Sequence, residues 1–223
     1  MTIQKGDFVE LDFVGRIKET NQIFDLTDEK LAKKENIHDP KQTYGPKIIC
    51  VGEQQLVKGI DKFLIGKELK TYTIDVTPEQ GFGKKDARLL KLVPLSTFKK
   101  EKIQPFPGLQ LNIDNHLGIV RTVSGGRIIV DFNHPLAGRN LIYELTIKRQ
   151  VKDTQEQLQH YLNNLFNKEV KCKVEKDKAT ITMTVPEHLQ KPLKEQVQKV
   201  IPALKEITLE EEKAKKPKTT TQA

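Results

Sequence analysis

The stretch Val51–Gly66, VGEQQLVKGIDKFLIG, sets Leu56, Val57 and Ile60 on one helical face, with Phe63 and Leu64 continuing it. Gly52 and Gly66 bracket it as breakers, and Gly59 leaves room for a neighbouring element to approach closely. On these residues alone it is a short buried helix between two strands, Tyr44–Val51 and Glu68–Thr77. A helix this short is marginal in water and depends on packing for its stability. The chain therefore has to supply strands to cover it.

The flanking sequence supplies them. Phe8–Val14 alternates apolar and polar residues, with Val9, Leu11 and Phe13 on one face and Phe13 pointing inward. A second short strand ends in Ile23-Phe24-Asp25. Leu26–Asn36 reads as a polar helical bulge capped by Thr27 or Asp28, or by Asp25 itself. After Gly81-Phe82-Gly83 comes a β-rich segment with strands near Leu89–Val93, Leu109–Ile113, Leu117–Val123 and Arg127–Asp131. Ser124-Gly125-Gly126 forms a hairpin turn between the last two. Asn133–Gly138 closes this segment, and Asn140–Arg149 is a further strand. From Asp153 the pattern changes to αββαβ. A first helix carries Leu158, Tyr161, Leu162, Leu165 and Phe166 and is capped by Asp153 or Thr154. Two strands, a helix near Leu193–Ile201 and a strand near Ile207–Leu209 follow.

Composition excludes several classes. Charged residues make up 30% of the 223 and hydrophobic ones 36%, a globular composition without an apolar run long enough to cross a bilayer. No signal-peptide pattern opens the chain, and the cytoplasm is the expected compartment. Cys50 and Cys172 form neither a CxxC nor a disulfide framework, and Cys50 reads as a small buried hydrophobe. The formal charge of +8 comes partly from a Lys-rich tail at 213–223, expected to be disordered. No basic stripe interleaves with aromatics, so nucleic acid is not an expected partner. The histidines at 38, 116, 134, 160 and 188 show no ligand spacing, and neither metal nor cofactor is expected.

Four stretches stand together in order: Asp12-Phe13-Val14-Gly15, Phe24-Asp25, Leu56-Val57-Lys58-Gly59-Ile60, and the pair Gly81-Phe82-Gly83 with Leu141-Ile142-Tyr143-Glu144-Leu145. With Asn133-His134-Pro135-Leu136-Ala137-Gly138, this pattern resembles the FK506-binding-protein family of peptidyl-prolyl isomerases. It looks like the branch of bacterial SlyD proteins and archaeal members that carry a domain inserted in the active-site flap. The resemblance covers roughly residues 3–150 and beyond 153 rests on domain layout. It implies an α+β fold: an antiparallel half-barrel around one helix (1–83 and 132–152), an inserted β-rich domain (84–131) and a C-terminal αββαβ domain (153–212).

It also implies site residues. Phe24 and Asp25 match the family's Phe-Asp pair, and Leu56 and Val57 match aliphatic pocket residues. Ile60 takes a floor position that is tryptophan in small human members. Phe13 and Phe82 stand where the family has tyrosines, and Tyr143 where it has phenylalanine. In the implied chemistry an apolar pocket holds the proline ring and excludes water from an amide that loses resonance as it twists. Asp25 is the one charged group at its rim. Leu136, Phe98, Phe106 and Leu109 are expected to contact substrate. Unfolded or nascent chains with X–Pro bonds are the implied partners, with an FK506-type ligand in the pocket and a homodimer through the C-terminal domain as further implied associations. The activity implied is isomerisation with holdase-type chaperone function. Loss of two tyrosine hydroxyls leaves open a client-binding module with vestigial isomerase activity, and the basic surface leaves open a ribosome- or RNA-associated factor.

Overall fold

Strand alternation organises the first part of the chain. A computed structural model of the protein describes residues 2–113 and 116–211, so the tail at 213–223 lies outside the described residues. Strand β1 (Phe8–Ile17) buries Val9, Leu11 and Phe13 as the alternation requires, and β2 (Ile23–Leu26) is the short strand before the bulge. The bulge is α1 (Glu29–Lys34). Asp28 caps it by accepting from the Lys30 and Leu31 amides at 2.8 and 3.2 Å. Asp25 is therefore not the cap. Thr27 instead ties the bulge to β1, its hydroxyl accepting from the Phe13 amide at 3.0 Å.

Strand β3 (Lys47–Cys50) pairs antiparallel with β1, Phe8 opposite Cys50. The following helix α2 (Lys58–Leu64) is shorter than expected. Leu56 and Val57 precede it, because the chain turns through positive φ at Gly52 and Gln54 and Val57 sits at the cap in extended geometry. Gln55 accepts from the Cys50 amide at 2.8 Å, and buried Asp61 accepts from Gly52 at 2.8 Å, fixing that turn. With β4 (Thr71–Val76) and β9 (Leu141–Val151) the sheet runs β2-β1-β9-β4, with β3 also on β1.

By its internal contacts the chain divides into two compact units. The first holds the described residues up to Gly15, Ile23–Ile74 and those from Tyr143 onward. Its C-terminal part is α4 (Thr154–Phe166), β10 (Lys171–Glu175), β11 (Lys178–Thr182), α5 (Glu187–Val200) and β12 (Glu206–Glu210). The α5 crossover makes β11 and β12 parallel, in the order β10-β11-β12. These elements share a core with the sheet: Leu158, Leu162, Ile181 and Val197 pack in one cluster with Phe8, Ile48 and Cys50. Leu165, expected on the apolar side of α4, is exposed. Helix α5 starts before Pro192 rather than after it. The proline forfeits one backbone bond near the N-terminal end, while Leu193, Val197 and Val200 downstream are buried.

Helix α4 also closes a sheet edge. At successive i, i+4 positions, Gln155 donates to Cys172 O (3.0 Å) and accepts from the Val174 amide (2.6 Å), Gln159 donates to Val170 O, and Asn163 accepts from the Val170 amide at 2.9 Å. The outer backbone groups at and just before β10 thus pair with side chains instead of inviting another strand.

The second unit comprises Arg16–Gln22 and Asp75–Ile142. Within it β5 (Leu90–Pro94), α3 (Leu95–Lys100), β6 (Gln110–Ile113), β7 (His116–Ser124) and β8 (Arg127–Asp131) form a four-stranded antiparallel sheet, β5-β8-β7-β6, with α3 on one face. Gly125 and Gly126 both take positive φ, 54° and 76°, as a two-residue hairpin loop requires. Phe98, Val120, Ile128 and Val130 form its core.

Candidate functional site

Phe24, Phe13 and Tyr143 come from three adjacent strands, β2, β1 and β9. Tyr143 is the hub. Its ring lies 5.6 Å from that of Phe24, edge-to-face at 87°, and 6.1 Å from that of Phe13 at 58°. Between them sits Gly15 of β1, where a Cβ would stand 2.8 Å from Phe24 Cζ and 2.9 Å from Tyr143 Cε1. The two rings occupy the space a side chain would take. Gly15 is therefore part of the aromatic cluster's design rather than a flexible point.

Asp25 follows Phe24 directly and is only partly exposed. Burial pushes its carboxyl above the usual carboxylate range, against the opposing pull of Lys47 and of the Leu26 backbone amide. Tyr143 feels the same environment: burial raises its phenol, and the Asp25 charge raises it further. The cluster is thus an apolar aromatic wall with one poorly solvated carboxylate near enough for its charge to act on the Tyr143 phenol. Ile60 is fully buried at the start of α2, while Leu56 and Val57 are half-buried in the turn before it. A mixed depression of about 630 Å³ is lined by Asp12, Val14, Thr27, Tyr44, Glu144 and Thr146. Phe13 borders it, but Phe24, Asp25 and Tyr143 do not.

The remaining expected site residues belong to the second unit. Phe82 stacks on His134 with centroids 4.5 Å apart and planes within 2°. His134 Nδ1 accepts from the Leu136 amide at 3.2 Å, and the Gly138 amide donates to Gly83 O at 2.8 Å. The Phe82 and Leu136 segments are thus laced together. Phe98 is buried in the core of the four-stranded sheet and Leu109 packs against it, whereas Phe106 is exposed.

The sequence model of the FKBP26 IF domain matches residues 91–136. A short-type peptidyl-prolyl cis–trans isomerase of Methanocaldococcus jannaschii is 31% identical over 147 residues, covering 66% of this chain and 92% of the relative. The chain belongs to the FKBP-type peptidyl-prolyl cis–trans isomerase family. Two FKBP-type isomerases named SlyD are also similar. That of Haemophilus influenzae is 28% identical over 115 residues, 49% of this chain and 60% of the relative. That of Aeromonas hydrophila is 31% identical over 118 residues, 52% and 56% respectively. For this FKBP-type chain, sequence reasoning about the site passed over three residues. Gly15 was visible only as part of a motif. Lys47 carries no sequence signal, since its effect on Asp25 depends on the fold. His134 was visible in Asn-His-Pro, but its stacking partner lies far away in the chain. Among the described residues no helix is long and apolar enough to cross a membrane, and no three His, Cys, Asp or Glu side chains group as a metal site.

Proposed function

We propose that the Phe13–Phe24–Tyr143 cluster, with Asp25 beside it, is the proline-binding pocket of the isomerase. The observation that carries this reading is the edge-to-face contact of Phe24 with Tyr143, with a partly buried carboxylate on the next residue. Amide resonance sets a barrier of about 18–20 kcal/mol, so X–Pro rotation is slow without help. A twisted amide is less polar at its carbonyl than a planar one. An aromatic wall that excludes water therefore favours the transition state over the ground state, and no covalent or acid–base step is needed. Ile60, Leu56 and Val57 complete the apolar lining. Asp25, poorly solvated, holds donors near the rotating bond. An FK506-type macrolide would enter the same pocket.

We further propose that residues 84–131 form a client-binding insert, giving holdase activity toward unfolded chains, and that 153–212 form a C-terminal domain through which two copies associate. Leu92 and Leu117 are 61% and 52% exposed on the insert, with Phe106 at 57%. These side chains are apolar surface that an unfolded client could cover. The test measures cis–trans isomerisation of a short proline peptide, with Asp25→Ala and Phe24→Ala beside the wild type, and suppression of aggregation of an unfolded client. Fast turnover that falls in both variants supports the pocket. No turnover with aggregation still suppressed would leave a chaperone without an isomerase site.

A further inference from the structure

Away from β9, strands β2 and β3 share one edge of β1. Just past the end of β2, the Thr27 amide donates to Phe13 O at 3.0 Å, and β3 starts beyond it with Lys47 opposite Leu11. The chain entering β3 is tied back to the same place, the Gly45 amide donating to Thr27 O at 2.8 Å. Lys47 and Asp25 thus flank one joint, each two residues from a partner in that hydrogen bond. Register also sets the face. Residues directly opposite in an antiparallel pair share a side of the sheet. Leu11, like Phe13 two residues on, is buried on the inner side of β1, so Lys47 lies on the side that carries Phe13, although the residue is exposed.

Charged groups on the surrounding elements are engaged elsewhere or exposed. On β1, Asp12 pairs with Lys148 at 2.6 Å and Glu10 with Arg149. In the bulge, Asp28 caps α1, and Glu29 holds Lys33 at 2.6 Å and His38 at 3.2 Å. On α2, Asp61 is bound to the Gly52 amide, while Lys58 and Lys62 are exposed, as are Lys30 and Lys34 of α1. From β9 comes Tyr143, a phenol that burial keeps protonated. Among the described residues Lys47 makes no ion pair of its own, and it is the cation whose charge acts on Asp25.

We infer that Lys47 is a positioning residue of the isomerase: standing across the β2–β3 joint, it keeps Asp25 an anion beside the aromatic cluster. The inference rests on Asp25 belonging to the pocket. A partly buried carboxylate without a nearby cation takes up a proton more readily. As a neutral acid, Asp25 would hold donors near the rotating bond less strongly. Lys47 acts through Asp25 and not on the substrate. Because it is exposed, its effect is modest and falls with salt.

The test follows kcat/KM of the full chain for a short uncharged proline peptide against pH, with Lys47→Met, Lys47→Arg and Asp25→Asn beside the wild type. At low salt the acid limb of Lys47→Met lies at higher pH than that of the wild type, and turnover on the limb is about threefold slower, as one exposed charge implies. Lys47→Arg restores the wild-type profile. At about 0.5 M salt the wild-type limb moves to that of Lys47→Met, which itself stays in place, because screening removes what the mutation removes. Asp25→Asn erases the limb, and adding Lys47→Met to it changes nothing further. A Lys47→Met enzyme with the wild-type limb overturns the inference, while loss of the limb in Asp25→Asn keeps the pocket reading. A loss equal at every pH marks a structural role and overturns it too. A further fall on adding Lys47→Met to Asp25→Asn shows Lys47 meeting the substrate itself, which also overturns it. An Asp25→Asn enzyme with the wild-type profile removes Asp25 from the pocket and overturns both readings.

Discussion

Gly15→Ala isolates the pocket from every other feature of the fold. The residue lies within β1, and its φ is not in the left-handed region, so alanine brings no backbone strain. The only consequence is steric. The new Cβ would stand 2.8 Å from Phe24 Cζ, 2.9 Å from Tyr143 Cε1 and 3.2 Å from Phe24 Cε2. Carbon atoms rest at about 3.5–4.0 Å, so both rings have to retreat by about 0.6 Å or more. Neither retreat is free: Tyr143 is only 3% exposed, and Phe13 stands on its other side. Overpacking of this kind costs about 1–3 kcal/mol. If the rings form the proline pocket, a comparable amount is lost from transition-state binding, and each 1.4 kcal/mol is about tenfold in rate. The expected result is a fall of about tenfold to a hundredfold in kcat/KM for a short proline peptide, in a protein that still folds cooperatively. Phe24→Leu, added to Gly15→Ala, makes room and restores part of the stability, so the two changes are non-additive in thermal unfolding. A folded Gly15→Ala protein with kcat/KM within about twofold of wild type would refute the pocket assignment.

Three further outcomes follow from other parts of the molecule. Asp25 has a raised carboxyl pKa, so its ionised form is lost on acidification earlier than for an ordinary carboxylate. Activity that needs the anion then shows an acid limb displaced to higher pH, and the limb disappears in Asp25→Asn. The same shift means that ionised Asp25 costs stability, a cost absent at low pH that appears as pH rises through the folded-state pKa; Asp25→Asn should remove that loss in pH-dependent unfolding. At His134, substitution by Asn keeps an acceptor for the Leu136 amide but loses the stack on Phe82, while Phe keeps the stack and loses the acceptor. If both contacts position the flap, each variant raises KM while kcat changes less, and the Leu136 amide exchanges faster only in His134→Phe. Gln155→Ala leaves the Cys172 carbonyl and the Val174 amide without their side-chain partner. A loss of about 1–3 kcal/mol is expected in denaturant unfolding, with concentration-dependent association if the freed edge recruits another strand.

Much of this was legible in the chain itself. Period-2 alternation located β1, and Gly125-Gly126 located the β7–β8 hairpin. The change of pattern at Asp153 located the αββαβ elements, because each of these signals is local and set by backbone geometry. The matching of Phe13, Phe24, Asp25 and Tyr143 to a family pattern gave candidates for a site. What sequence could not give is adjacency. Strand order β2-β1-β9 puts residues 24, 13 and 143 side by side across more than a hundred positions, and only that order sets Gly15 against both the Phe24 and Tyr143 rings. Local periodicity also overextended α2 to Leu56 and started α5 too late. In the first case a positive-φ turn outweighed an apolar pattern; in the second, buried Leu193, Val197 and Val200 outweighed a proline. The sequence determined which residues are apolar, which turn and which carry charge. The tertiary structure decided which of them meet, because sheet order, burial and the solvation of Asp25 are properties of the packed chain and not of any one segment.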